Sequence, residues 1–281
     1  AFNPDVIKDV ELYKSSIPSR FGGRLASVLD VNSRDGNNKK LSGKAGIGLL
    51  TGRINLEGPI IKDRTSFIMG ARTTYSNWIL KLLPDDSGYK NSKAAFYDMN
   101  LRISHKINDK NSLYVSGYLS DDNSNLGGDT TFTYGNKNLS LKWKHIFSNK
   151  LTGLVVGGFS RYQYDNQSDR NPVNAYKMAF DINQANFKTD FNYYLSPKHT
   201  IDFGLSSIRY QLHPGTYLPL GSRSLVVSNV LQTEQAIESA AYLGDRFDLT
   251  DKLSLDLGVR YSMFNYLGPK SVNQYLPGLP V

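Results

Sequence analysis

Leu253-Ser254-Leu255-Asp256-Leu257-Gly258-Val259-Arg260-Tyr261-Ser262-Met263 alternates apolar and polar residues without a fault. A period of two belongs to an extended strand, whose successive side chains point to opposite faces. The same rhythm sets Tyr97, Met99, Leu101 and Ile103 against Asp98, Asn100, Arg102 and Ser104. It sets Leu113, Val115, Gly117 and Leu119 against Tyr114, Ser116, Tyr118 and Ser120, and Leu139, Leu141 and Trp143 against Ser140, Lys142 and Lys144. Helical spacing is hard to find apart from a short stretch around Trp78 to Leu83. Strands are expected near 42–50, 52–60, 66–79, 95–107, 112–121, 131–147, 151–166, 175–195, 200–213, 232–249 and 253–267.

Between these strands two kinds of connection take turns. Ile61-Lys62-Asp63-Arg64-Thr65-Ser66, Ile107-Asn108-Asp109-Lys110-Asn111-Ser112, Phe147-Ser148-Asn149-Lys150-Leu151-Thr152, Leu195-Ser196-Pro197-Lys198-His199-Thr200 and Leu249-Thr250-Asp251-Lys252-Leu253-Ser254 share one form. Each is an apolar residue, a few turn formers with a Lys or Arg, and a new strand. Longer polar stretches separate them, from Pro84 to Lys93, Asp121 to Thr130, Asn166 to Asn174 and His213 to Ser222. Short turns at one end, long loops at the other and long alternating strands describe an all-β, antiparallel transmembrane β-barrel. A soluble β-sandwich is the alternative, but it has shorter strands and loops of similar length at both ends.

The 281 residues carry 33 Lys and Arg against 25 Asp and Glu, a net charge of +8. The cations are scattered singly among Asp and Asn, with no basic stripe, so no nucleic-acid partner is expected. Eighteen Tyr and 13 Phe argue against disorder. No stretch approaches the ~18 apolar residues that a spanning helix needs. Without cysteine the chain has no disulfide, thiolate metal site or thiol nucleophile. Alternation also explains why only 40% of residues are hydrophobic: half of each barrel strand faces a wet lumen. No targeting segment is visible at Ala1, and Tyr275 to Val281 reads as loop, so the chain is expected to be a piece of a longer one.

Catalytic chemistry is not legible. His105, His145, His199 and His213 have no short ligand spacing, and no Gly-x-Ser-x-Gly elbow occurs. Gly43-Lys44-Ala45-Gly46-Ile47-Gly48 lies in an expected strand and cradles no phosphate. His213 is expected to open a loop, and Asp85-Asp86 and Asp121-Asp122 to sit at solvated loop tips. No enzyme activity, metal or cofactor is expected.

The first forty residues break the barrel rhythm. Val10-Glu11-Leu12-Tyr13-Lys14 leads to Phe21-Gly22-Gly23 and then to Val28-Leu29-Asp30-Val31. This succession resembles the C-terminal part of the plug domain of TonB-dependent outer-membrane receptors. Gly52-Arg53-Ile54-Asn55-Leu56-Glu57-Gly58-Pro59-Ile60, with Asp63-Arg64-Thr65-Ser66-Phe67 after it, is similar to that family's first barrel strands. The branch with a carboxypeptidase-regulatory-like N-terminal domain is the nearest in style. Ser15 stands where many relatives have Gly, and the plug motif differs from that of the SusC-like oligosaccharide importers.

The resemblance implies that residues 1–38 end a plug and residues 39–281 form the N-terminal half of an outer-membrane barrel, about eleven of twenty-two strands. It implies active import of a scarce solute, such as an iron chelate, oligosaccharide or peptide, across a Gram-negative-type outer membrane. The partners it implies are outer-membrane lipid, the solute, the TonB complex through a TonB box outside this sequence, and in some relatives a surface lipoprotein. Tyr89, Tyr134, Tyr217 and Arg223 are the candidate ligand contacts. Arg20, Arg24 and Arg34 are candidates to tie the plug to lumenal carboxylates such as Glu57 or Asp98, the alternative being that they are solvated in a wet lumen. A passive porin or a surface adhesin on the same barrel is the competing function, and the Phe-Gly-Gly segment speaks against an open pore. The structure expected is a curved antiparallel sheet of about ten to twelve strands with open edges near 42–50 and 253–267. Leu255, Leu257, Val259 and Tyr261 should point to its convex side and the plug segment should lie on its concave side.

Overall fold

The computed structural model describes residues 3–14, 17–23, 26–90, 92–125 and 127–268. A 3-10 turn at Pro4–Val6 leads into β1 (Ile7–Tyr13), which pairs antiparallel with β2 (Val28–Ser33). The large sheet then follows in chain order: β3 (Ser42–Ile47), β4 (Thr51–Ile61), β5 (Thr65–Thr74), β6 (Lys93–Asn108), β7 (Asn111–Asn125), β8 (Thr130–Ile146), β9 (Leu151–Ser168), β10 (Tyr176–Tyr194) and β11 (His199–Pro219). It is completed by a two-residue β12 (Asn229–Val230) beside β11, then β13 (Glu234–Thr250) and β14 (Leu253–Leu267). Apart from β12, every strand lies beside its neighbour in sequence, from β3 at one edge to β14 at the other. The two edges do not pair with each other. The eleven long strands stand where the alternation put them.

The short turns are built from side chains that mimic backbone. The Asn108 amide oxygen accepts from the Lys110 N–H at 3.0 Å and from Asn111 Nδ2 at 2.9 Å. Ser148 Oγ accepts from the Lys150 and Leu151 amides at 3.2 and 3.1 Å, and Ser196 Oγ from the Lys198 and His199 amides at 3.2 Å. Thr250 does the same for the Lys252 amide at 3.3 Å. Each is a local bond of Asx or Ser/Thr type that reverses the chain. Asp63 takes the left-handed conformation (φ 59°) in the β4–β5 turn, a geometry Asp tolerates better than most residues.

At the opposite end the strands run further than the alternation implied. β7 continues to Asn125, β9 to Ser168 and β11 to Pro219, so much of what reads as loop in 121–130, 166–174 and 213–222 is strand. His213 is therefore a strand residue, not the opening of a loop. Polar cross-strand bonds sustain these extensions, among them Asn123 to Thr133, Asn125 to Thr131 and Asn136 to Ser120 at 3.4, 3.3 and 3.2 Å. At about 3.4 Å per residue, the 21 residues of β11 are twice what a tilted strand needs to cross hydrocarbon, so its outer half stands in water. The strand expected over 66–79 stops at Thr74, and Asn77–Leu80 forms the short helix α1, within the stretch whose spacing is helical.

Register assigns the two faces. Arg102 pairs with Ser116, Ser116 with Ser140, Ser140 with Gly158 and Gly158 with Asn186, so the even positions of β6 to β10 share one face. Leu101, Leu119, Leu139, Phe159, Phe187, Leu205 and Leu243 occupy the other, all outward and solvent-exposed in this chain. Leu255, Leu257, Val259 and Tyr261 lie on that same outer face at 43%, 63%, 69% and 72% exposure. The described residues from Asn3 to Gly36 lie against the polar face. They touch Asn55 of β4, Gly70 of β5, Arg102 of β6, Lys188 of β10, Gly244 of β13 and Gly258 of β14. One short segment reaches the wall near both edges of the sheet because the sheet curls around it. The tightest burial of the described residues is here, at Ile68 and Asn3.

Aromatic side chains stiffen the wall where glycine leaves room. Tyr242 is the register partner of Gly204, and its ring crosses that glycine to donate to the Thr189 carbonyl at 3.0 Å and to the Asp190 carboxylate. The facing predicts a sharp contrast. Leu141→Arg, on the apolar face, should lower unfolding stability by about 2–4 kcal/mol, whereas Ser140→Arg, one residue away, should cost less than about 1 kcal/mol. Denaturant unfolding of the lipid-embedded protein measures both, and equal costs would contradict the assignment of faces.

Candidate lumenal site

Residues 3–37 and the concave wall meet in two clusters. In the first, Arg34 extends its fork to Glu57, Nη1 to Oε2 at 2.7 Å and Nη2 to Oε1 at 3.1 Å, while its Nε donates to the Asp5 carbonyl at 2.7 Å. Glu57 also accepts from the Asn37 N–H at 3.0 Å. The planar guanidinium matches a carboxylate in two parallel bonds, which fixes direction as well as charge. Asp5 accepts from Asn55 Nδ2 at 2.7 Å, and Asn3 donates to the Asn55 amide oxygen at 3.3 Å. Asp35 accepts from Arg102 Nε at 2.8 Å and from Ser104 Oγ at 2.6 Å. Gly36 and Gly70 are required: a Cβ on Gly36 would run into the Phe67 carbonyl, and one on Gly70 into Asn55, Asn3 and Val6.

The second cluster holds the Phe-Gly-Gly turn. Arg20 and Lys188 lie over the Phe21 ring at 5.0 and 5.5 Å, in cation–π geometry. Arg260 fills the space beside Gly22, donates to the Ser19 carbonyl at 3.4 Å and to Ser206 Oγ at 3.1 Å, and lies over Tyr242 at 5.8 Å. Tyr13 packs at a tilt against Phe21 and donates to Glu11; that bond, helped by burial, pushes its phenol above the usual range. Between the clusters a cavity of about 550 Å³ separates β1–β2 from the wall, lined by Asn100, Arg102, Ser116, Asn138, Lys142 and Gln184 among others.

Of the arginines singled out in the sequence, Arg34 reaches Glu57. Arg20 does not reach a wall carboxylate; its Nη2 donates to the Tyr13 hydroxyl at 3.3 Å. Arg24 lies outside the described residues. Asp98 is taken by Arg72, whose Nε donates to Oδ2 and Oδ1 at 2.9 and 3.2 Å. The two are direct cross-strand partners, and a neighbour held in place by the ladder outcompetes a distant arginine. Asp35, Arg102, Lys188 and Arg260 were not singled out. Asp35 follows Arg34 directly, the one local hint the sequence held.

The four candidate ligand residues have separate surroundings. Tyr89 is exposed in the connection before β6, beside Gly127. Tyr217 packs at a tilt against Tyr176 at 5.1 Å, and Arg223 is exposed in the connection after β11. Tyr134 belongs to a row on the concave side of the outer extension: Tyr134 to Tyr164 at 5.2 Å, Tyr164 to Phe180 at 5.0 Å and Phe180 to Tyr162 at 6.0 Å. Each histidine has its own partner: His105 with Thr65, His145 with Asn111, His199 with Asp245 and His213 with Asp181, at 2.7 to 2.9 Å. Among the described residues no group of three potential metal ligands comes together.

Residues 63–279 match the family model described as TonB dependent receptor-like, beta-barrel. No curated protein matches the sequence. Among solved structures the chain is similar to the copper transporter OprC, with a TM-score of 0.72 at 8% identity over 94% of this chain and 43% of that one. It is similar to the siderophore receptor PirA from Acinetobacter baumannii, with a TM-score of 0.67 at 12% identity over 93% and 45%. The ferripyoverdine receptor of Pseudomonas aeruginosa bound to ferripyoverdine gives a TM-score of 0.67 at 14% identity over 94% and 43%. The chain thus spans less than half the length of these three.

The Arg34–Glu57 fork predicts a local change. Glu57→Gln should remove one charge-assisted bond and loosen the Asn37 amide, raising its hydrogen exchange about tenfold, which is about 1–2 kcal/mol of opening free energy. Asp98→Asn, on the same face, should leave the Asn37 amide unchanged. Equal exchange in Glu57→Gln and the parent would remove Glu57 as the tie.

Proposed function

The chain belongs to the TonB-dependent receptor β-barrel family, whose place is the outer membrane of a Gram-negative-type cell, and from that premise we propose that it is the plug end and the first half of the barrel of an active importer. In this reading residues 1–38 close the plug and residues 39–281 build the wall. The observation that carries it is the way the segment before β3 is held. Its ties are ion pairs, hydrogen bonds of amide groups and cation–π contacts in a polar lumen, with little apolar burial. Such ties break and re-form in water at low cost, since the released groups are rehydrated. A plug that is pulled aside and returns needs that kind of interface. An open porin has no use for a segment strapped across its wall.

The solute would be captured at the outer extension. The row Tyr134, Tyr164, Phe180 and Tyr162 offers ring faces on the concave side, and the wall beneath it is lined by Asn, Ser and Gln together with the cations Arg102 and Lys142. This chemistry suits a polar solute that carries flat or sugar rings, and it suits an organic metal chelate better than a bare metal ion. No nucleotide is needed in this chain, because the energy would come through TonB from the inner membrane. Uptake of labelled chelates and oligosaccharides by cells carrying the full-length receptor tests the reading. Uptake should vanish in cells without TonB, and Tyr164→Ala should weaken solute binding about fivefold, near 1 kcal/mol for one ring contact. Uptake that persists without TonB would overturn it.

A further inference from the structure

On the outer face of β8 and β9 the apolar band ends in two cations, while Leu119 of β7 still stands beside Lys137. Leu139 pairs with Phe159, and two residues further out Lys137 pairs directly with Arg161. Like charges directly opposite one another on a sheet repel. The neighbourhood compensates them poorly. Arg161 Nη2 reaches Asp181 at 3.4 Å, but that carboxylate also accepts from Asn183 Nδ2 at 2.7 Å and meets His213 Nδ1 at 2.9 Å. Arg161 Nε is shut away from solvent without a hydrogen-bond partner. Lys137 is exposed.

Below the pair lies a groove of about 440 Å³ on the same face. Its walls are Met99, Leu101, Leu119, Leu139 and Phe159, with Gly117 in the floor and Lys137 at the outer end. Gly117 leaves the floor open: a Cβ there would meet one carbonyl, at 3.9 Å. The groove is apolar along its length and has Lys137 at one corner, at the level where the outward residues of β8 and β9 change from Leu and Phe to Lys and Arg.

We propose that this groove binds one acyl lipid with a phosphorylated headgroup, its chain over Gly117 and its phosphate between Lys137 and Arg161. The site rests on the outer face being the lipid face of the membrane-embedded receptor. A phosphate supplies the negative charge that the Lys137–Arg161 pair lacks, and its oxygens accept from the Lys137 ammonium and from the exposed part of the Arg161 guanidinium, a side chain 40% exposed. The chain fills space that a flat sheet of Leu and Phe would have closed. Lys137 lies at the boundary of the hydrocarbon, where a long cationic side chain keeps its stem in the apolar layer and its head at the polar one.

The test uses the full-length receptor in phosphatidylcholine vesicles doped with phosphatidic acid or with diacylglycerol of the same chains, the lipid retained after detergent extraction being counted by mass spectrometry. Retention of phosphatidic acid over diacylglycerol, undiminished by soluble glycerol phosphate, is the expected result. Lys137→Gln should lower that retention about fivefold, the effect of one cation near a membrane surface. Gly117→Leu should abolish it by filling the groove, while thermal unfolding stays unchanged. Equal retention of the two lipids, or unaltered retention in both variants, would overturn the site while leaving the import reading intact. A receptor that fails to float with the vesicles at all would overturn the membrane reading and this site together.

Discussion

A backbone amide in hydrocarbon has no water to bond, and a chain that spans with strands must answer that need between strands. Here the answer is a ladder in which every strand from β4 to β13, the short β12 aside, has a hydrogen-bonded neighbour on each side. Once the ladder exists, the pleat divides each strand into two faces, and solvent chooses which residues each face carries. The outer face takes Leu, Val and Phe because it has lipid to meet. The inner face takes Ser, Asn, Arg and Asp because it has water and a second segment to meet. Turns at one end need only a side-chain oxygen to reverse the chain, and Asn108, Ser148, Ser196 and Thr250 supply it.

The same division explains what holds the segment before β3. An apolar core between it and the wall would be a permanent fixture, since burying a large side chain is worth about 1.5–3 kcal/mol that withdrawal would have to return. The two clusters instead use Arg34 with Glu57, Arg102 with Asp35, and Lys188 and Arg260 around Phe21 and Gly22. Glycines on both partners, Gly36 and Gly70 at one cluster and Gly22 and Gly258 at the other, bring the backbones close enough for these groups to meet. Specific direction with modest cost is the character of such an interface. The wall itself is stiffer, as in the Tyr242 ring that bridges Gly204 to β10.

The outer extensions show why loops were overestimated from the sequence. Polar residues in 121–130, 166–174 and 213–222 read as loop because the apolar half of the alternation stops there. In the structure it stops because lipid stops. The strand continues in water, which meets both faces, and the ladder is kept by backbone bonds and by pairs such as Asn123 with Thr133. A period-two pattern reports a change of solvent, and it is silent about extended chain that has the same solvent on both sides.

The alternation, the turn chemistry and the family resemblance were legible in the residues themselves, and with them the eleven long strands, their order and the face that each side chain takes. These are local properties: a strand's period and a turn's side-chain oxygen act within a few residues. Partners across the lumen were not legible. Nothing near Asp98 announces that Arg72 sits opposite it, and nothing near Asp35 announces Arg102, 67 residues on. The same is true of Arg161 and Lys137, whose confrontation depends on the register of β8 against β9. Register is set cooperatively by the whole ladder, and a slip of one residue turns every pair to the other face. Only the assembled sheet, curled around the segment that precedes it, decides which charges meet.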